Sequence, residues 1–198
     1  MIYPQFFNKI PTIKLQDDLA SFLGAFEDGI IEFSYLDVVK SAGHSCPTVL
    51  GAYLMTLKGL EALGENEVLK RGEIIVEFKE AQNIGVAGVI GNVIMNITGA
   101  TTTNGFKGLA GKFDRNHLMK FEKEINGANV RFTRIDTSKS VDVFYDASSI
   151  KPHEDMNFLM QKSLQGNATN EEKKEFAKLW QNRVEEISNR VDEVIKIK

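Results

Sequence analysis

The stretch Ala128–Ala147, "ANVRFTRIDTSKSVDVFYDA", decides the fold class. Its two halves, residues 128–136 and 139–147, are rich in β-branched and aromatic side chains and are parted only by Thr137 and Ser138. That pattern predicts an antiparallel hairpin. A hairpin late in the chain breaks the strict strand–helix alternation of a doubly wound sheet, so the reading is α+β, a mixed or antiparallel sheet packed with helices.

Upstream of the hairpin, "RGEIIVEFKEA" sets Ile74, Val76 and Phe78 against Ile75, Glu77 and Lys79, the period of two of a strand, with Glu80 at its end. "VAGVIGNVIMNITG" fits either type by periodicity, but its length and the recurrence of Val86, Val89, Ile90, Val93, Ile94 and Ile97 favour a helix. Gly85, Gly88 and Gly91 fit that helix if another element packs closely there. "TGATTTNGFKGLAG" then reads as a loop.

Further upstream, Pro47 suits a first helical turn, and "TVLGAYLMTLKGLEALG" keeps an almost continuous apolar face up to Gly64, as a helix at the buried centre would. "DDLASFLGAFEDG" places Leu19, Phe22, Leu23 and Phe26 at helical spacing before Gly29, and "IIEFSYLDVVKSAG" predicts a short helix that delivers the chain to His44.

Downstream, "GNATNEEKKEFAKLWQNRVEEISNRVDEVIKIK" opens on a capping box, Thr169 with Glu172, and carries a stripe of Phe176, Trp180, Val184, Ile187, Val191 and Ile195. This predicts one long C-terminal helix over 166–198, packing on an α+β domain over 1–165. Spacings of three and four also describe a seam between helices, so the stripe serves either that domain or a dimer partner.

A length of 198 residues fits one domain with a short accessory segment, and 42% hydrophobic residues suffice for an ordinary core. The net charge of −3 and the lack of a basic stripe argue against a nucleic-acid partner. No stretch approaches the roughly 18 continuous apolar residues of a membrane helix, and no leader pattern opens the chain. The expectation is a soluble cytoplasmic protein. A single cysteine, Cys46, cannot form an intramolecular disulfide, so it is a packed thiol, a ligand or a reactive group.

The chemistry concentrates in "AGHSCPTVLGAYL", Ala42–Leu54. A helix N-terminus favours anions, so a thiolate at Cys46 would be stabilised there. With an imidazole from His44 it makes a donor pair suited to a borderline-soft ion such as zinc. The alternative is structural: Cys46 caps the helix as a small hydrophobe and His44 bonds a neighbouring carbonyl. A third reading makes Cys46 a catalytic nucleophile with His44 as charge partner. The hydroxyls and glycines of the loop that holds Thr101, Asn104 and Lys107 could cradle an anion through backbone N–H groups, with Lys107 and Lys112 for charge, but the P-loop spacing is missing and the alternative is a plain flexible loop. His117 and His153 follow polar residues and read as surface groups.

Three segments together resemble the FmdE family of formylmethanofuran dehydrogenase proteins, over about Phe33 to Glu186. "GHSCPTVLGAY" looks like its Gly-His-x-Cys-Pro-Gly signature; "EAQNIGVAGVIGNVIMNITGATTTNGFKGL" is similar to its Asp-Ala-Cys and Thr-Gly-Cys-Thr region; "GNATNEEKKEFAKLWQNRVEEI" looks like its C-terminal helix. Thr48 replaces a family glycine, and Gln82 and Ala100 stand at two family cysteines. The match is to the form without the C-terminal zinc ribbon.

The resemblance implies an α+β fold, a homodimer and a divalent transition metal, zinc first among the candidates, held here by His44 and Cys46 with Glu80 as the third candidate ligand. It leaves the reaction, and whether there is one, open. Three functions follow as expectations: a protein binding a divalent transition metal; a thiol-dependent redox or transfer enzyme using Cys46; or an interaction subunit of a larger oxidoreductase complex, or binder of a small molecule or metal-containing cofactor.

Overall fold

The computed structural model describes residues 1–198. In chain order the elements are β1 (Ile13–Gln16), α1 (Asp18–Phe22), β2 (Ile30–Phe33), α2 (Tyr35–Ala42), α3 (Pro47–Gly64), β3 (Ile74–Phe78), α4 (Ala87–Thr98), β4 (Met119–Lys120), β5 (Val130–Arg134), β6 (Ser140–Tyr145), α5 (Met156–Leu164), α6 (Asn170–Asn189), α7 (Val191–Val194) and β7 (Ile195–Ile197). The fold is α+β. A five-stranded sheet runs β4-β3-β5-β6-β7, antiparallel except for the β3–β4 pair, and a separate two-stranded sheet joins β1 to β2. The hairpin forms as the sequence predicts, with Phe132 opposite Val141 and Val130 opposite Val143.

Helix α3 is the centre. Val49, Leu50, Ala52, Tyr53, Leu54, Met55 and Leu63 are fully buried, because the helix has sheet on one side and α2, α4 and α6 around the rest. A helix apolar on all sides requires such surroundings. It lies close to the sheet through glycines: a Cβ on Gly59 would stand 2.6 Å from the Phe132 ring, and one on Gly51 would stand 2.4 Å from the Tyr145 ring. The close packing expected at the α4 glycines is found at Gly91, where a Cβ would lie 3.2 Å from the Phe121 ring.

Three expectations need correction. The helix expected over 17–29 is only the five residues of α1: Asp17 caps it, Gly24 takes a left-handed φ of 69°, and a 3-10 turn occupies Glu27–Gly29. Its apolar residues have no core to face, and Phe22, Leu23 and Phe26 are 67%, 62% and 50% exposed. The second short helix starts only at Tyr35, since Ile30–Phe33 pairs with Ile13–Gln16 as β2.

The C-terminal helix ends at Asn189, where Arg190 leaves helical geometry, and Ile195 instead pairs with Tyr145 at the sheet edge. Pairing with an open strand outweighs helical spacing for β-branched residues. Within α6 the capping box of Thr169 and Glu172 is present as expected. Of the stripe, Val184 and Ile187 join the main core and Trp180 and Val191 pack against it, while Phe176 packs on a small cluster of Met156, Leu159 and Leu179. No helix is long and apolar enough to cross a membrane.

Candidate functional site

Helix α2 begins at a capping box, Ser34 with Asp37, and ends at Gly43, whose left-handed φ of 77° turns the chain toward α3. Cys46 is the N-cap of α3, extended at φ −149° and ψ 168°, and Pro47 follows at the first helical position. The turn between two helix termini therefore consists of His44, Ser45 and Cys46.

His44 is exposed, and its Nδ1 lies 3.1 Å from the Ala42 carbonyl oxygen. A carbonyl only accepts, so Nδ1 is the donor, and Nε2 is the ring nitrogen left without a partner. The Cys46 Sγ accepts the Val49 backbone N–H at 3.4 Å. This N–H belongs to the first helical turn and has no intrahelical partner, so the sulfur is the cap of α3.

The turn is fixed from far along the chain. The Ser45 carbonyl accepts from Trp180 Nε1 at 3.0 Å and Gln181 Nε2 at 3.1 Å, both on α6. The Ser45 hydroxyl is 2.9 Å from the Tyr35 hydroxyl, and the Tyr145 hydroxyl donates to the Pro47 carbonyl at 2.8 Å. Burial pushes the Tyr35 hydroxyl well above the ordinary tyrosine value, and Tyr145 up to about 12, with the neighbouring Cys46 adding to both shifts. Both phenols are thus neutral at physiological pH and act as hydrogen-bonding groups around the turn rather than as anionic ligands. Gln181 Oε1 is buried without any hydrogen-bond partner, an orphan acceptor on the same clamp.

The other candidate residues lie elsewhere. Glu80 is exposed past the end of β3, and no three His, Cys, Asp or Glu side chains are grouped closely enough to hold a metal. Gln82 is exposed, while Ala100 is wholly buried in the core. Thr101 is buried and structural in its contacts: its hydroxyl and its N–H both reach the Arg115 carbonyl. Asn104 and Lys107 are exposed on the loop that Thr101 anchors. His117 and His153 are exposed.

That loop belongs to a second polar assembly, which sequence inspection does not reveal. Asp17 accepts from Arg71 at 2.9 Å and Arg115 at 2.7 Å, and Arg71 also donates to the carbonyls of Asn96 and Ile97 at the end of α4. Asp17 and Arg115 are 3% and 6% exposed, so the triad is an internal tie between distant segments.

A family model described as "FmdE, Molybdenum formylmethanofuran dehydrogenase operon" matches residues 42–196. The chain belongs to the FmdE family. The match begins at Ala42, whose carbonyl orients His44, and takes in α3, the sheet and α6. No curated protein matches the chain. This FmdE-family chain carries His44 and Cys46 at the turn and builds the clamp around them from Tyr35, Tyr145, Trp180 and Gln181. Those four could not be located from the sequence: Trp180 and Gln181 lie 135 and 136 residues from Ser45, and no local pattern signals such contacts.

Proposed function

We propose that His44 and Cys46 together bind one divalent transition metal, zinc in the first instance, in a protein associated with formylmethanofuran dehydrogenase. The observation that carries this reading is the Nδ1 hydrogen bond from His44 to the Ala42 carbonyl. Metal-ligating histidines characteristically donate their second ring N–H to a carbonyl or carboxylate, which fixes the tautomer and the ring. Here it leaves Nε2 without a partner, two residues from the Cys46 sulfur that caps α3.

The donor set fits a zinc-type ion as two of four ligands. Gln82 and Ala100 supply no soft donors, so the other positions fall to water or to groups brought by a ligand. Such an open site is the arrangement of a metal that acts on something, as distinct from a closed structural site. When bound, the metal would supply Lewis acidity and lower the pKa of a coordinated water. The chain's own part is to hold the turn that carries the imidazole and the sulfur still through the Ser45 and Pro47 carbonyls.

The nucleophile reading is less well supported, because the ring nitrogen facing a partner is committed to Ala42 and His44 forms no hydrogen bond with Cys46. Elemental analysis of untagged protein tests the proposal. One metal per chain is expected, falling at least tenfold in both His44→Ala and Cys46→Ser. Absence of metal, or a content that ignores both changes, overturns it.

A further inference from the structure

Two neighbouring segments present apolar side chains that the core does not cover. Residues 19–29 carry Phe22, Leu23 and Phe26, and the loop 105–113 carries Phe106 and Leu109, all five exposed. Phe113, half-buried, joins the two: its ring lies 5.7 Å from that of Phe22. Apolar residues scattered singly need no explanation, but a contiguous group marks a contact surface.

Neither segment is loose. Leu109 and Lys112 exchange backbone hydrogen bonds at 2.8 and 2.9 Å around Ala110 and Gly111, whose φ values of 49° and 79° make a tight turn. The Arg115 N–H donates to the Phe106 carbonyl at 2.9 Å and closes the base of this loop. The roots of the two segments meet in the buried ion pair. Asp17 Oδ1 caps α1 by accepting the Leu19 N–H, and the same oxygen accepts from Arg115 Nη2 at 2.7 Å. The triad thus fixes the two apolar segments side by side.

Their charges are sorted by sign. The only charged residues of 19–29 are Glu27 and Asp28, and the only ones of 105–113 are Lys107 and Lys112. All four are exposed, and none takes part in an ion pair within the chain. One face therefore holds both halves of a complementary pair, an acidic apolar segment beside a basic apolar loop. The surface that matches it is the same face turned about a two-fold axis, which sets each basic loop on the other copy's acidic segment.

We infer that this face is where a second copy of the chain docks, with 105–113 of each protomer against 19–29 of the other. Phe22, Leu23, Phe26, Phe106 and Leu109 form the apolar centre, and the lysines meet Glu27 and Asp28 at the rim. The contact needs no metal at His44 or Cys46.

Sedimentation equilibrium of the chain and of three variants tests it. The natural chain should show a monomer–dimer equilibrium. Lys107→Glu with Lys112→Glu makes both segments acidic. Glu27→Lys with Asp28→Asn makes both basic, asparagine being suited to the left-handed φ of 53° at position 28. Each charge variant alone should weaken self-association about tenfold or more. An equimolar mixture of the two should dimerise again, because every basic loop then faces an acidic segment. Phe26→Asp, at an exposed position, should abolish the dimer without changing the melting temperature. A natural chain that stays monomeric, a dimer indifferent to the charge reversals, or charge variants that do not associate on mixing overturns the inference. So does a monomer that floats with phosphatidylglycerol vesicles, which would give this face to a membrane surface instead.

Discussion

Replacing Gly51 by alanine should destabilise the protein, although helix propensity alone predicts the opposite. In the interior of an exposed helix, Gly→Ala gains about 1 kcal/mol. Here the new Cβ would stand 2.4 Å from Tyr145 Cε1 and 2.5 Å from its Cζ, so the ring must move. Overpacking of this kind costs about 1–3 kcal/mol. The displaced ring also gives up the 2.8 Å hydrogen bond from its hydroxyl to the Pro47 carbonyl, worth about 1 kcal/mol. The sum is a net loss of about 2 kcal/mol, or about 4–8 °C in Tm for a chain of this size. Urea unfolding followed by circular dichroism would measure it, in the natural background and again with Tyr145→Ala. Removing the ring removes the clash, so in the second background Gly51→Ala should be neutral or stabilising. Stabilisation in the natural background, or the same effect in both, would refute the packing argument.

Three further outcomes are expected. Asp17→Asn strips the buried Arg115 of its ion-pair partner and should cost about 3 kcal/mol in urea unfolding; a cost near zero would mean the triad contributes nothing. The second concerns acid. Burial alone would raise the Asp17 carboxyl, but the bonds and charges of Arg71 and Arg115 more than offset it, and Arg131 holds Asp142 below its ordinary value. Since both folded values are depressed, their stabilisation is complete above the unfolded value of about 4 and is lost as pH falls through the lower folded values. Unfolding free energy should therefore drop below about pH 4, less steeply in Asp17→Asn, and an identical acid slope in that variant would contradict this. Third, Trp180→Phe removes one of two donors to the Ser45 carbonyl and should cost about 1 kcal/mol. Iodoacetamide should then alkylate Cys46 measurably faster than in the natural protein, and unchanged stability together with an unchanged alkylation rate would show that the clamp does not hold the turn.

Much of the fold is legible where local and tertiary demands agree. The 128–147 hairpin, the strand at 74–78, the buried helix after Pro47 and the capping box at Thr169 all follow from period, punctuation and caps. The sequence misleads where tertiary context decides. Phe22 and Phe26 have helical spacing but no core opposite them, and Ile195 prefers the open edge of β6 to a further helical turn. The N-terminal "MIYPQFFNKIPTIK" gives no periodic signal, yet Phe6 and Phe7 enter the core and Ile13–Gln16 forms a strand.

The site divides in the same way. His44 and Cys46 are visible because both belong to one short motif between two helices. The clamp is not, because Tyr145 and Trp180 reach the turn only after the sheet and α6 are assembled. The Nδ1 bond that fixes the His44 tautomer is equally invisible, since it depends on the left-handed turn at Gly43.

X-ray absorption at the zinc edge of the loaded protein tests the central claim most directly. Coordination by Cys46 and His44 predicts one sulfur at about 2.3 Å together with nitrogen or oxygen neighbours near about 2.0 Å, and no sulfur shell in Cys46→Ser. A first shell of nitrogen and oxygen alone in the natural protein, or a sulfur shell that persists in Cys46→Ser, would contradict it.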